Sequence, residues 1–411
     1  MLRRVFSRST MKKRQVLTNV ALISNIFIWF FCVFIMLKAV TIDAGMSQFE
    51  SLAVWIANFG GATISTLVGA VIADRTRKRK TLFLVSTMLG VFSSLIPAVL
   101  DVTITSNALV LSFSLGVSFG LSMPICMEYF TSSTPIESRA QLGGLITFIS
   151  FVGAFGFAQV ISSADFFATA LILATWRAAN LAYVLFLDVP ERIKKDPRPY
   201  SHILSQRSFL LYFIPWIMFS LVNSLSLSVQ SGKGIDQTVV EMSTVIENIL
   251  AGVFAVVGGL LSDILGRKRM AITGFVMLGL GYAILGIYPA NLVAWYLYTA
   301  VDGISWGIFY AIFFMTVWGD LAFGASSVKY YALGGLPYLL SNFLGIVLEP
   351  YIAEVVPAYA IFSFTAFFLF LAVIPLMYAP ETLPEKNIRD RELKTYVDTA
   401  IKIKEKSISK T

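Results

Sequence analysis

The sequence predicts an all-α membrane protein of twelve transmembrane helices arranged as two pseudo-symmetric six-helix bundles. Three observations lead there. Apolar residues make up 57% of the 411 and charged residues only 14%, with a mean hydropathy of +0.76, whereas a soluble domain carries about 25% charge. The apolar residues gather into twelve long runs that lack strand alternation. The second half of the chain then repeats landmarks of the first at a nearly constant spacing.

The runs cover about 16–40, 49–73, 81–100, 106–129, 140–163, 166–188, 208–229, 240–262, 270–289, 291–318, 330–353 and 357–379. Each is long enough to cross a hydrocarbon core of about 30 Å as a helix, and a helix pairs its own backbone groups where no water can. The expected organisation is a first bundle with a basic leader (1–188), a linker (189–207), a second bundle (208–379) and a tail (380–411). The leader holds Arg3, Arg4, Arg8, Lys12, Lys13 and Arg14, and the run after it is too long for the apolar core of a signal peptide. Met1 and Met11 both fit as the start. The linker carries Pro190, Pro197 and Pro199. In the tail, Leu393, Tyr396, Val397, Ala400 and Ile401 follow helical spacing, which fits either an amphipathic helix on the membrane surface or a solvated segment.

Charge sets the orientation. With the N-terminus inside, the inner segments hold 29 of the 32 Lys and Arg, the outer loops hold Lys233, and the spans hold Lys38 and Arg177. The positive-inside rule then puts both termini in the cytoplasm of a multi-pass cell-membrane protein. This asymmetry accounts for the net charge of +8, so a nucleic-acid partner is not needed to explain it. Cys32 and Cys126 both lie in apolar runs and suggest neither a disulfide framework nor a metal site. No cofactor or metal is expected, and the partners are the lipid bilayer and a small solute, with the protein acting as a monomer.

The repeat is visible in three places. Ala73-Asp74-Arg75-Thr76-Arg77-Lys78-Arg79-Lys80 ends one apolar run, and Ser262-Asp263-Ile264-Leu265-Gly266-Arg267-Lys268-Arg269 ends another, with the acids 189 residues apart. Leu-Gly-Gly-Leu recurs at 142–145 and 333–336, and Pro-Glu at Pro190-Glu191 and Pro380-Glu381, at offsets of 191 and 190. Repeated bundles of this kind hold a solute site between them.

These residues resemble the major facilitator superfamily of secondary transporters, across nearly the whole chain. The family's Gly-x-Leu-Ala/Ser-Asp-Arg-x-Gly-Arg-Lys/Arg loop is matched by Gly259, Leu261, Ser262, Asp263, Gly266, Arg267 and Lys268, with Ile264 where Arg is usual. The first copy matches at Ala73, Asp74, Arg75, Lys78 and Arg79 and departs at Ala70 and Arg77, where the family has Gly. The resemblance implies a gate. Asp74 would face the start of span 11, Asp263 the start of span 5, and Arg75 would reach Glu128. The repeat places Asp320 as partner of Arg267 or Lys268. The plainer alternative is that these bases only set topology.

Within the superfamily the sugar-porter and organic-ion branch is nearest, through Glu128…Pro135…Arg139, Pro190-Glu191-Arg192 and Pro380-Glu381-Thr382. Arg139, Glu191, Arg192 and Glu381 join the expected gate on that ground. The Gln-Gln-x-Ser-Gly run of sugar porters is missing from span 7, which reads Asn223-Ser224-Leu225-Ser226. Span 5 lacks the Gly-Pro run of drug–proton antiporters.

Polar groups inside a span are costly and often functional. Asn25, Gln159, Trp306 and Asn342 lie near the centres of expected inner helices and are substrate-binding candidates, as hydroxyl partners and an aromatic face for a sugar. The bland alternative is that each amide bonds a neighbouring helix. Arg177 reads as a structural residue of a supporting helix. Glu247 is the deepest acid in a likely cavity helix and the candidate for proton coupling. Asp302, Lys38, Asp43 and Glu349 lie nearer the outer face, within reach of water. The expected function is secondary transport of a sugar or small organic acid by alternating access, as a proton symporter or an uncoupled carrier. A non-transporting receptor and a polytopic enzyme stay open, although one His and the absence of a P-loop argue against catalysis.

The orientation is directly testable. Cysteines placed at 74–80, 189–207 and 263–269 should resist membrane-impermeant thiol reagents in intact cells, while one beside Lys233 should react. Ready labelling at Arg77 reverses the orientation.

Overall fold

The computed structural model describes residues 13–76, 78–186, 196–230, 237–355 and 357–383. The basic leader before Lys13, Glu191, Arg192, Lys233 and the helical pattern at 393–401 therefore lie outside the described residues. Twelve long helical segments follow one another among the described residues, ten of them long and apolar enough to cross a membrane: α1 (Lys13–Asp43), α2 (Gln48–Thr76), α3 (Arg79–Ser94, extended by the turn Ile96–Val99), α4 (Thr105–Ser133), α5 (Arg139–Ile161) and α6 (Phe166–Phe186) form the first half. In the second half come α7 (Arg207–Gln230), α8 (Gln237–Leu265), α9 (Arg267–Ile287), α10 (Leu292–Phe309, continued through Tyr310–Phe314 and Val317–Leu321), α11 (Val328–Val355) and α12 (Ala358–Tyr378). A short helix, Tyr200–Ser205, lies in the linker.

Local sequence explains several helix starts at the face opposite the basic loops. Ser47 and Glu50 form a reciprocal capping box at α2: the Ser47 N–H donates to Glu50 Oε2 at 3.0 Å, and the Glu50 N–H donates to Ser47 Oγ at 3.3 Å. Asp165 accepts from the Ala168 N–H at 2.7 Å ahead of α6. Asn291 accepts from the N–H groups of Val293 and Ala294 to start α10. Each side chain satisfies donors that a helix N-terminus leaves free.

The helices pack as the repeat requires. In the first half α2 lies along α4, α1 along α5, and α3 along α4 and α6. The second half repeats this with α8 on α10, α7 on α11, and α9 on α10 and α12. The halves meet through α5 against α8 and α2 against α11, two contacts related by the same pseudo-symmetry. Membrane helices approach this closely only where side chains are small. A Cβ on Gly144 of α5 would fall 2.0 Å from the Ala255 carbonyl oxygen of α8, and one on Gly259 of α8 would fall 2.2 Å from that of Ala140. Gly259, the first residue of the loop motif, thus serves helix contact, and the turn belongs to Gly266, whose φ of +107° an L side chain rarely adopts.

Aromatic rings fill the second half. Trp216 of α7 stacks on Phe313 at 4.8 Å, Phe219 meets Phe309 at 4.8 Å, and Phe275 of α9 closes on Phe309 at 4.9 Å. Trp216 Nε1 donates to the Gly334 carbonyl at 2.9 Å, which ties α7 to α11, and the missing side chain of Gly334 leaves room for Trp318, 2.4 Å from where a Cβ would stand. The helix α10 widens into one π-turn at Tyr310–Phe314, a local irregularity common at functional sites.

The glycine contact between the halves can be probed. Gly259→Val should cost about 1–3 kcal/mol through overpacking and lower the thermal unfolding temperature. Gly335→Ala, whose added carbon meets nothing within 4 Å, should stay within about 0.5 kcal/mol of the parent.

Candidate functional site

At the basic face the two loop motifs build two buried ionic clusters. In the first, Arg79 bridges Asp74 and Glu128: its Nη2 lies 3.2 Å from Asp74 Oδ1 and its Nε 2.5 Å from Glu128 Oε2. Arg79 also donates to the Ala73 carbonyl. The other half reaches in through Ser326 Oγ, which donates to Asp74 Oδ1 at 2.5 Å, and Lys329 Nζ, 3.1 Å from Asp74 Oδ2. Both residues stand at the start of α11, where Asp74 is expected to point. The expected Arg75–Glu128 contact is corrected: Arg75 is exposed and Arg79 takes Glu128. Arg75 ends α2 and points off the helix, whereas Arg79 begins α3 and is 4% exposed.

The second cluster is the counterpart. Arg267 bridges Asp263 at 2.8 Å and Asp320 at 3.0 Å, and Arg139 crosses from the first half to pair with Asp320. Asp263 accepts the N–H groups of Ala140 at 3.3 Å and Gln141 at 2.7 Å. These are free donors in the first turn of α5, at the positive end of its dipole. Arg267 also donates to the Ile136 carbonyl at 2.5 Å. Glu381 accepts from the N–H groups of Arg267 at 2.8 Å and Lys268 at 3.1 Å, so Lys268 meets Glu381 through its backbone while its Nζ donates to the Met377 carbonyl. A Cβ on Gly266 would lie 2.3 Å from Glu381 Oε2, which makes that glycine a condition of the contact.

Each cluster holds two acids and two bases, one base within a half and one reaching across. Arg139 and Lys329, the crossing pair, are 190 residues apart, the repeat offset again. Sequence reasoning missed Lys329, Ser326 and the role of Arg79, although adding the offset to Arg139 points to Lys329. The linker clamps the same face. The Asp196 backbone carbonyl accepts the Ser326 N–H at 3.1 Å, Lys329 donates to the Arg198 carbonyl at 3.1 Å, and Tyr200 donates to the Leu67 carbonyl of α2 at 2.8 Å. Burial, then the Asp74 carboxylate, push the Tyr200 hydroxyl up from its ordinary pKa, so it remains a neutral donor.

Deeper between the halves lies a polar–aromatic region. Trp306 and Tyr310 of α10 sit 5.2 Å apart, Tyr338 of α11 lies 6.0 Å from Trp306, and Phe151 of α5 meets Tyr310 at 5.2 Å. Asn342 donates to the Tyr338 carbonyl of its own helix and stays half-buried beside it. Glu247 of α8 is half-buried here, within hydrogen-bonding reach of Asp302 on α10. The expectation that Asp302 reaches water is corrected, since it is 2% exposed.

Two substrate candidates are placed elsewhere. Asn25 donates to the Trp176 carbonyl at 2.7 Å and accepts from Arg177 Nη1 at 3.1 Å, buried inside the first half. Arg177, fully buried, also donates to Ser122 at 2.8 Å and lies 4.7 Å over the Trp29 ring. Gln159 is exposed in the last turn of α5, near the face opposite the basic loops.

A sequence profile of the Major Facilitator Superfamily matches residues 2–158 and 208–408. The chain belongs to the major facilitator superfamily. It is a membrane transporter, not an enzyme. No curated protein matches this transporter by sequence. Solved structures share its fold at low identity. The E. coli fucose:proton symporter superposes with TM-score 0.72 at 11% identity, over 89% of this chain and 99% of that one. A proton:xylose symporter bound to 6-bromo-6-deoxy-D-glucose gives 0.67 at 15%, over 89% and 96%. The human organic anion transporter MFSD10 gives 0.65 at 15%, over 88% and 99%.

The first cluster yields a contrast between two arginines of one loop. Arg79→Gln leaves the buried Glu128 without a base and Asp74 with Lys329 alone, and should cost about 3–5 kcal/mol, seen as a lower unfolding temperature. Arg75→Gln, at an exposed site, should change stability by less than about 0.5 kcal/mol.

Proposed function

We propose that this transporter carries a small polar solute, a sugar in the first instance, across the cell membrane by alternating access as a proton symporter. The basic face is the cytoplasmic one in this reading, and the protein works as a monomer with both termini inside. The observation that carries the proposal is the pair of ionic clusters. They join the halves at the basic face only, while Trp306, Tyr310, Tyr338 and Asn342 gather half-way across. In this reading the clusters are the inner gate, closed here at the basic face, and rocking of the halves is the step that breaks them.

Of the two solute classes, a neutral polyol fits better than an organic acid. Arg177 is enclosed by the first half, and Lys38 is exposed near the far end of α1. The aromatic rings offer a stacking face and the Tyr and Asn groups offer hydrogen bonds, the usual chemistry of a sugar pocket. The proton-coupled sugar carriers among its structural neighbours support the same choice at the level of fold.

Purified protein in proteoliposomes should take up hexoses or pentoses in preference to carboxylates, and faster with acid outside. Uptake of carboxylates alone would reverse the solute assignment. Asp74→Asn and Asp263→Asn should remain in the membrane but lose most of the transport rate. Wild-type rates in both variants would reduce the loops to topology signals.

A further inference from the structure

Glu247 lies ten residues into α8 and Asp302 ten residues into α10, each about 15 Å from its helix start. The two acids therefore stand level, near the middle of the membrane. Their helices touch backbone to backbone there: a Cβ on Gly303 would fall 2.8 Å from the Glu247 carbonyl oxygen and 3.2 Å from its Cα. The carboxyls come within hydrogen-bonding reach of each other. An ionised carboxylate only accepts, so two carboxyls bond to each other only with a proton between them. Asp302 Oδ1 is buried with no protein donor, the deficiency that such a proton removes.

The described surroundings supply no countercharge. Six ion pairs occur among the described residues, all at the basic face, and neither acid takes part in one. Among the described residues the titratable groups that face the pair are tyrosines: Tyr298 and Tyr310 of α10 and Tyr338 of α11, with Tyr282 of α9 behind Tyr298. The α5 face packed on α8 presents Phe148 and Phe151 near Gly252. With no countercharge beside them, two ionised carboxylates in the closed site repel each other, and one proton held between them relieves that repulsion until water reaches the pair. Behind it, the Tyr298 hydroxyl lies 2.9 Å from that of Tyr282 and within reach of Asp302.

We propose that Glu247 and Asp302 share one proton while the inner gate is closed and that this proton is the coupling ion. The proposal rests on the transport reading above and extends its proton site from Glu247 to the pair. The proton enters from water between the halves, which the half-buried Glu247 meets first, and is held between the two carboxyls. It returns to water through Glu247 when the opposite face opens, leaving one more negative charge on the pair. Asp302 acts by holding the proton; Glu247 exchanges it.

Infrared spectroscopy of the purified protein tests the shared proton without any solute, so its failure is distinct from failure of the transport reading. At neutral pH the wild type should show a protonated-carboxyl band that disappears on alkaline titration. Glu247→Gln and Asp302→Asn should each remove it, because an amide donates to the remaining carboxylate. A wild-type spectrum without the band, or a band that survives either substitution, overturns the sharing. The wild-type titration stands even if a variant fails to fold. In proteoliposomes both variants should keep solute counterflow while losing accumulation driven by a proton gradient. Accumulation at the wild-type level in either variant makes the pair structural and overturns the coupling.

Discussion

Everything at the basic face depends on how four buried carboxylates are neutralised. Asp74, Glu128, Asp263 and Asp320 are each at most 4% exposed, and a buried acid without a partner is intolerable in a low-dielectric setting. Arg79 and Arg267 satisfy the pairs within each half. Lys329 and Arg139 complete them only from across the interface. Because part of the compensation belongs to the other half, neither half is electrostatically complete alone, and the closed arrangement is the one in which every charge is met. Separation must deliver water to the same groups, which ties ionic contact to conformation.

Much of this architecture was legible because bilayer constraints act on composition and spacing. Twelve apolar runs, the basic loops and the repeat of about 190 residues are direct consequences of helices crossing lipid and of a duplicated bundle. The loop acids were legible too, through the family resemblance that put Asp74 at the start of α11 and Asp263 at the start of α5. Side-chain partners within a basic cluster were not. Arg75 and Arg79 are four residues apart in one charged string, and where α2 ends (Thr76) and α3 begins (Arg79), which spacing cannot resolve, decides which of them turns inward.

The interior was harder for a related reason. Asn25, Gln159 and Asn342 look alike as single polar residues in apolar runs. Their fates depend on helix rotation: Asn25 faces α6 and Arg177, Gln159 faces outward, and Asn342 stays near Tyr338. Asp302 was misplaced because depth counted along the sequence ignores the neighbour. Gly303 lets α8 come so close that the acid beside it is sealed in.

The Glu381 contact carries a consequence for biosynthesis. The N–H groups of Arg267 and Lys268 open α9, yet their acceptor lies 114 residues later than Arg267, beyond the end of α12. While the chain is being made, α9 is inserted with that end uncapped, and Gly266 leaves a gap where a carboxylate will sit. The second half is therefore stitched shut by one of its last-synthesised elements. A chain that stops before residue 381 leaves the start of α9 uncapped after α10, α11 and α12 have already followed it into the membrane, a half-finished bundle that quality control has a physical basis to recognise.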